Sequence, residues 1–374
     1  MTYLLRRLPL TRLLFLCGLV VVAGVSVTAL AFALGTGPTP PPKPLADAAH
    51  DALTAPPVEG VSARVQLTDH LLEGANLAGG SGGNSGSDTA GRLSSNPLLT
   101  GASGRLWIAK DGRVRLELQA EQGDTQVLYD GHAVSVYDAS SNTFYRYTVP
   151  AHDGSVKASD VEADTTHHEV PTVAKIEEAI SHLSAHASVS GATPTNVAGQ
   201  AAYTVRVSPK EGGSLIGGAE LSWDAVHGVP LRAAVYSSTS PSPVIELAAT
   251  EVSYGPVDGS VFQFTPPANA KIEEIAVAAK PGTPSTHSGE RPYVTSHGHG
   301  IAGVAVIESK VKEGAKQSSQ ALPEGLQKVK VGDVEANELP TALGTLLSFE
   351  RSGVRYLLVG AVTPATIEAV ARGL

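Results

Sequence analysis

The chain has 374 residues, enough for one large domain or two smaller ones. Apolar residues make up 42% and charged residues 17%, which excludes a disordered chain and leaves ample apolar surface for a packed core. The single cysteine excludes a disulfide framework and cysteine-rich zinc modules. A formal net charge of −9 argues against a nucleic-acid-binding protein, which requires a basic surface.

Residues 1–35 are predicted to form an N-terminal transmembrane signal anchor. The run 13–34 carries no charge, and as a helix it would measure about 33 Å, enough to cross the hydrocarbon core. Three arginines precede the run, so we expect a single-pass protein of the cytoplasmic membrane with an extracytoplasmic body. The alternative is a signal peptide cleaved after Ala31 or Ala33, which would release a secreted form.

Composition and periodicity divide the rest of the chain. Residues 36–44 contain five prolines and predict a stiff linker. A first α+β domain is expected over 45–275, a second linker over 276–296 and a small C-terminal α+β domain over 297–374. Within the first domain, residues 79–91 are predicted to form a long loop rich in glycine and serine.

The strongest secondary-structure pattern lies at 104–147, where apolar and polar residues alternate. Asp111-Gly112 and Asp130-Gly131 separate alternating segments, which is a strong hairpin signal because glycine tolerates positive φ. We therefore expect an antiparallel meander of about five strands, with one apolar and one wet face. Further strands are predicted at 197–208, 215–224, 229–237 and 243–254.

One amphipathic helix is predicted at 171–187, with Pro171 in its first turn. Its apolar stripe consists of Val173, Ile176, Ala179, Ile180 and Leu183. In the C-terminal domain, Thr363 is expected as the N-cap of a final helix that starts at Pro364. The strands predicted in this domain are 301–308, 327–331, 345–350 and 354–360.

No motif selects a catalytic or metal site. A phosphate-binding loop and a dinucleotide fingerprint are both missing from the sequence. His182 and His186 have a spacing that could bind zinc, but spacing indicates no third ligand and both histidines fall on the polar side of the helix. We therefore predict no enzyme, no metal and no cofactor, with an extracytoplasmic hydrolase as the weakest alternative.

The apolar face of the predicted sheet has two interpretations. Sheet and helix could pack together as an ordinary core, or a curved sheet and its helix could enclose an apolar cavity for a ligand. The candidate lining residues alternate with polar neighbours, so each strand turns them to one face. They are Leu106, Ile108, Val114, Leu116, Leu118, Val134, Val136, Leu221, Trp223 and Leu231. The lid of such a cavity would be the helix that carries Val173, Ile176, Ile180 and Leu183.

The order of these elements resembles the LolA-like fold of lipoprotein carriers. Three stretches carry the resemblance: 104–117 with Tyr129-Asp130-Gly131 after it, Trp223-Asp224 followed by 228–232, and 261–267. Together they span about residues 45–275. The resemblance implies a half-open antiparallel β-barrel with a helical lid, whose apolar interior holds acyl chains. A LolA-like domain followed by a small second domain also resembles the RseB/MucB sensors, which bind anti-sigma factors.

The resemblance implies two functions. In the first, the protein is a membrane-anchored extracytoplasmic carrier or chaperone for a lipid or an acylated lipoprotein, similar to anchored forms from high-GC Gram-positive bacteria. In the second, it is a regulatory sensor whose cavity detects lipid and whose C-terminal domain docks on an anti-sigma factor or another membrane protein. We expect the carrier, with the sensor as the alternative and with no nucleic-acid partner.

Overall fold

The computed structural model of the chain describes residues 37–73, 97–121, 123–148, 170–274, 293–310 and 326–374. Three predicted features lie wholly or mostly outside these residues: the apolar run 13–34, the loop 79–91 and the linker 276–296. None of the helices within the described segments has the length and apolarity needed to cross a membrane.

In the part of the first domain that the structure describes, thirteen strands form one large sheet. In chain order they are β1 (Gly60–Asp69), β2 (Ala102–Ala109), β3 (Val114–Ala120), β4 (Gly123–Tyr129), β5 (Ala133–Asp138), β6 (Thr143–Thr148), β7 (Ala187–Val189), β8 (Thr193–Val197), β9 (Gln200–Pro209), β10 (Ile216–Asp224), β11 (Pro230–Ser237), β12 (Pro243–Tyr254) and β13 (Lys271–Glu274). Their spatial order is β13-β6-β5-β4-β3-β2-β1-β12-β11-β10-β9-β7, and β8 pairs with β9. Among the described strands, only β13 and β6 pair in parallel. The predicted meander is β2 to β6.

The described residues of this domain include three α-helices, α1 (Leu45–Thr54), α2 (Pro97–Thr100) and α3 (Val173–His186), and a short 3-10 helix at Gly259–Phe262. The sequence predicted Pro171 in the first turn of α3, and this detail is wrong. The helix begins at Val173, because the Thr172 hydroxyl accepts the Lys175 amide at 3.4 Å and so caps the first turn.

The chain segment 255–267, named the outer strap, crosses the face of the meander that was expected to be wet. Arg115 anchors it by donating from Nη1 to the Val261 carbonyl at 2.7 Å. The ring of Phe264 lies 5.4 Å from that of Tyr137 and 6.1 Å from that of Phe144. The outer face of the meander was expected to be wet, and this expectation is wrong where the strap lies. The strap's aromatic side chains pack on that part of the sheet and cover it.

The described part of the predicted linker 36–44 lies against β8 and β9. The Tyr203 hydroxyl donates to the Pro41 carbonyl at 2.7 Å, and the Asn196 amide donates to the Pro38 carbonyl at 3.0 Å. Proline carbonyls remain acceptors although proline has no N–H to join a sheet, so side-chain donors can dock such a segment.

Over residues 293–310 and 326–374, the C-terminal domain consists of a six-stranded antiparallel sheet with an α-helix packed on it. Its elements are β14 (Tyr293–His297), β15 (Val304–Lys310), β16 (Gln327–Val331), β17 (Val334–Pro340), β18 (Thr345–Arg351), β19 (Val354–Gly360) and α4 (Pro364–Arg372). Thr363 is the N-cap residue of α4, as predicted, with Pro364 at the start of the helix. The sequence missed β14 and β17. In β17, a buried Glu338 occupies a position where the alternation calls for an apolar residue.

Backbone hydrogen bonds join the two domains. The Leu215 amide donates to the Ala361 carbonyl at 2.7 Å, and the Ala342 amide donates to the Leu71 carbonyl at 2.9 Å. Leu71 follows β1 and Leu215 precedes β10, so the C-terminal domain contacts the ends of strands that also carry the apolar face of the large sheet.

Candidate functional site: the inner face of the large sheet

Strand register shows which predicted lining residues share a face, because directly opposed residues point the same way. Two rows cross β2 to β5 side by side. The first contains Leu106, Leu116, Val127 and Val136, and the second contains Ile108, Val114, Tyr129 and Val134. We name this surface the inner face. Six of the ten predicted residues lie in these two rows.

The remaining predicted residues extend the same face. Leu118 lies opposite Gly104 in β2, two positions along from Leu106. Towards β10, opposed pairs link Leu67 to Leu247, Leu247 to Ala233, and Ala233 to Leu221. Trp223 follows Leu221 two residues later on the same strand, and Leu231 lies at the bulge opposite it.

Burial divides the ten residues into two groups. Leu118, Trp223 and Leu231 are buried, with 1%, 6% and 5% of their surface exposed, so the protein's own side chains already enclose them. The other seven are partly or well exposed, and Leu221 reaches 41%. The inner face thus has filled ends and an open middle. We name that middle, formed by the two rows across β2 to β5, the open band.

Two short helices fill the ends. At one end, Leu98 of α2 packs on the cluster that contains Leu67 and Leu118. At the other end, Ala48 of α1 packs with Tyr203 and Trp223 in a second buried cluster. Neither of these clusters includes the second row of the open band, so its side chains keep access to solvent.

The predicted lid helix covers its apolar stripe only in part, because three of the stripe's five residues are half-buried and two are exposed. None of its residues is buried, and Leu183 is 45% exposed. Its packing partners are α1 and β7, and the carbonyl of Pro171 lies 3.0 Å from Nδ1 of His50 in α1. An amphipathic helix normally buries such a stripe. Two partly covered apolar surfaces, the stripe and the open band, therefore belong to one domain.

The sequence missed several members of the inner face. Val127 and Tyr129 of β4 stand in the two rows, and Tyr145 and Tyr147 of β6 lie opposite Val136 and Val134. Counting outward from the Asp130-Gly131 turn would have paired these strands, because hairpin length sets register. Tyr145 and Tyr147 line the β6 side of the open band.

The turn between β10 and β11 holds Trp223 beneath α1. The buried Asp224 carboxylate accepts the amides of Val226 and His227 and the hydroxyl of Tyr254 at 2.7–2.8 Å. Burial alone would raise the pKa of Asp224, but these hydrogen bonds hold it below the ordinary value. Gly228 has a φ of 68°, and a Cβ there would lie 2.2 Å from the Ala52 carbonyl oxygen. The cluster fixes a hairpin against α1.

An ion cluster occupies the opposite, outer face of β10 to β12. Arg232 donates to Glu220 at 2.8 Å and contacts Glu246, while the Tyr236 hydroxyl donates to Glu220 at 2.7 Å. Burial alone would raise the pKa of Glu220, but the hydrogen bonds from Arg232, Tyr236 and Arg206 lower it. Every charge in this cluster has a partner, which favours a structural role.

The histidines considered as zinc ligands do not converge. Nε2 of His182 lies 3.8 Å from a carboxylate oxygen of Glu178, and the side chains of both are well exposed. Within the described segments, no three His, Cys, Asp or Glu residues are grouped as a metal ion requires. The absence of metal, cofactor and catalysis stays a prediction.

Comparisons with known proteins give limited matches. A family model described as a predicted periplasmic protein (DUF2092) matches residues 92–171, less than half of the chain. No curated protein matches the sequence.

Among solved structures, MucB in complex with MucA(peri) is 16% identical with a TM-score of 0.41, covering 87% of this chain and 94% of that one. The Pseudomonas aeruginosa MucA/MucB complex is 15% identical with a TM-score of 0.40, covering 87% and 96%. An uncharacterized conserved protein from Thermus thermophilus is 10% identical with a TM-score of 0.33, covering 62% and 97%. These values do not assign the chain to a family.

Proposed function

We propose that this protein is an extracytoplasmic sensor, in which the open band binds an acyl chain and the C-terminal domain passes the bound state to a membrane-protein partner. The description of the matching family as a predicted periplasmic protein supports the compartment. The open band is the observation that carries the proposal: two adjoining rows of apolar side chains, none of which the protein buries completely.

An acyl chain suits this surface in chemistry. Each buried CH₂ contributes about 0.8 kcal/mol, so a sixteen-carbon chain would contribute on the order of 10 kcal/mol before ordering costs. The rows consist of leucine, isoleucine, valine and tyrosine, with no charged side chain among the eight residues. Such a surface requires no catalytic group.

The domain junction favours a sensor over a simple carrier. Leu67 packs beneath α2 at the filled end of the inner face, and the chain then reaches Leu71, whose carbonyl accepts the Ala342 amide. A ligand that shifts this end of β1 would therefore act directly on the C-terminal domain. Carriage of a lipid or an acylated lipoprotein is the second candidate, because the same open band would serve it.

Native mass spectrometry of the gently extracted full chain tests acyl binding. We expect co-purified acyl species in wild type and their loss in Leu116→Trp, which fills the open band. Gln119→Trp is the matched control, since it is exposed on the other face of the same strand. A wild type free of acyl species, or Leu116→Trp with a normal load, would overturn the proposal.

Photo-crosslinking in cells separates sensor from carrier. Val294 is 61% exposed on β14, an edge strand of the C-terminal sheet, and is a suitable site for the crosslinker. A sensor predicts a crosslinked membrane protein whose yield changes when Leu116→Trp blocks the open band. If wild type binds acyl species but the crosslinking yield is the same in wild type and Leu116→Trp, the carrier is favoured.

A further inference from the structure

The outer face of the large sheet carries a second candidate site, whose lining is charged and polar whereas the open band is apolar. A cleft of about 300 Å³ lies over three adjacent strands, β12, β1 and β2. Its polar side chains stand in two cross-strand rows. One is Glu251, Arg64 and Arg105, and the other is Ser253, Ser62 and Trp107.

The first row places two arginines directly opposite each other, an arrangement that destabilises a sheet. Nε of Arg64 contacts the Glu251 carboxylate at 3.2 Å. On the other side of Arg105 stands Glu117, which is paired with Arg115 instead. Within the described part of the chain, Arg105 is exposed and has no ion-pair partner. One guanidinium in the cleft is thus left without a counter-charge.

A β-bulge adjoins the same row. The register of β1 with β12 shifts between Arg64 and Val65, so Thr250 is the extra residue next to Glu251. Its hydroxyl donates to the Arg64 carbonyl at 3.4 Å. Bulges bend a strand and redirect side chains, and they are common beside binding sites.

The second row offers a flat apolar surface beside the charges. Trp107 is one of only two tryptophans in the chain, and it is partly exposed in the cleft, whereas Trp223 is buried beneath α1. An indole ring stacks well on the carbon skeleton of a sugar or polyol. The hydroxyls of Ser62 and Ser253 border it; the Ser253 hydroxyl donates to the Ser62 carbonyl at 3.3 Å and still has lone pairs that can accept a hydrogen bond.

We propose that this cleft binds a phosphate group attached to a polyol or sugar, with the phosphate between Arg64 and Arg105 and the carbon skeleton on Trp107. Arg105 and Arg64, whose Nε contacts Glu251, lie on neighbouring strands and offer N–H donors from two directions. A phosphate has enough oxygens to accept from both guanidinium forks, whereas one fork already satisfies a carboxylate. A phospholipid headgroup and a soluble polyol phosphate share this chemistry. The site lies on the face opposite the open band and is independent of the function proposed for it.

Isothermal titration of the full chain in uncharged detergent tests the site with two probes, sn-glycerol 3-phosphate and dihexanoylphosphatidylglycerol. Arg105→Gln is expected to weaken binding about tenfold or more, through the loss of charge-assisted hydrogen bonds. Lys110→Gln removes the same charge from an exposed residue paired with Glu59 and is expected to bind as wild type does. Tighter binding of the lipid that is lost in Arg105→Gln would identify a headgroup in this cleft rather than acyl chains in the open band, and equal binding of the two probes would identify a soluble phosphate.

Thermal unfolding shows whether Arg105 is structural. Because Arg105→Gln removes like-charge repulsion, its melting temperature should equal or exceed that of wild type. If this variant is poorly folded, Arg105→Lys keeps the charge without the fork and must still bind more weakly than wild type. Failure of both probes to bind wild type, or wild-type affinity in a folded Arg105 variant, would overturn the proposal.

Discussion

The C-terminal sheet and the inner face of the large sheet share one alternation of apolar and polar residues, but they differ in how far those residues are covered. Val306, Leu347 and Leu358 are 0% exposed, and Ile367 of α4 completes their core. In the open band, by contrast, no side chain is fully covered, and α3 contributes no buried residue.

The difference follows from where each helix enters the sheet. The helix α4 begins at Pro364, just after the central strand β19 ends at Gly360, so it folds back over the strands that precede it. The helix α3 runs straight into β7 at the edge of the large sheet and rests on α1. A covered core and an uncovered apolar face therefore arise from the same strand pattern. The predictions below set these two regions against each other.

The largest expected effect is the loss of stability caused by a cavity in the filled core of the C-terminal sheet. Leu347→Ala should lower the free energy of unfolding by about 2–5 kcal/mol, because the closely packed neighbours cannot collapse into the space. Chemical denaturation measures the change, and Ser348→Ala on the next residue serves as the control. A loss below about 1 kcal/mol would show that this core is no better filled than the open band.

The second-largest expected effect is the stabilisation of the folded protein by a ligand bound to the open band. A fatty acyl probe at about one hundred times its dissociation constant should stabilise wild type by about 2.7 kcal/mol, since it binds only the folded chain. Leu116→Trp should abolish this gain without unfolding the protein. Thermal unfolding with and without probe measures both, and an equal gain in Leu116→Trp would remove Leu116 from the site.

Truncation within the open band should cost less than truncation within the core. Leu116→Ala is expected to lower the free energy of unfolding by roughly 1 kcal/mol, because the side chain is only partly buried and leaves no closed cavity. The measurement is the denaturation experiment used for Leu347→Ala. Equal losses of unfolding free energy in Leu116→Ala and Leu347→Ala would show that the open band and the core are covered to the same extent.

The smallest expected effect is a pH dependence specific to the filled core. Burial, and then the nearby charge of Glu368, raises the pKa of Glu338 above its ordinary 4.5. The folded chain therefore keeps a proton that the unfolded chain releases, so stability falls as pH rises from 4.5 through the raised pKa. Glu338→Gln should remove this fall. Denaturation across this pH window checks it, and an unchanged slope in the variant would contradict the assignment.

Local chemistry alone was enough to predict much of this protein. The Asp111-Gly112 and Asp130-Gly131 turns predicted the meander, because Gly112 and Gly131 take the positive φ that such turns need. Alternation also placed the predicted lining residues on one face, since successive side chains of a strand point to opposite sides. The strand β17 escaped prediction because its buried Glu338 breaks that pattern and gains its burial from neighbouring strands.

Only the tertiary structure decided which apolar residues are enclosed and which remain open. Leu116 and Leu118 share strand, face and residue type, yet Leu118 is a fully enclosed member of its cluster at 1% exposure, whereas Leu116 packs against that cluster and stays partly open. Likewise, the opposition of Arg64 and Arg105 arises from the register between two strands that lie about forty residues apart in the chain. Periodicity is a property of neighbours along the backbone, whereas coverage and charge pairing depend on distant segments meeting in space.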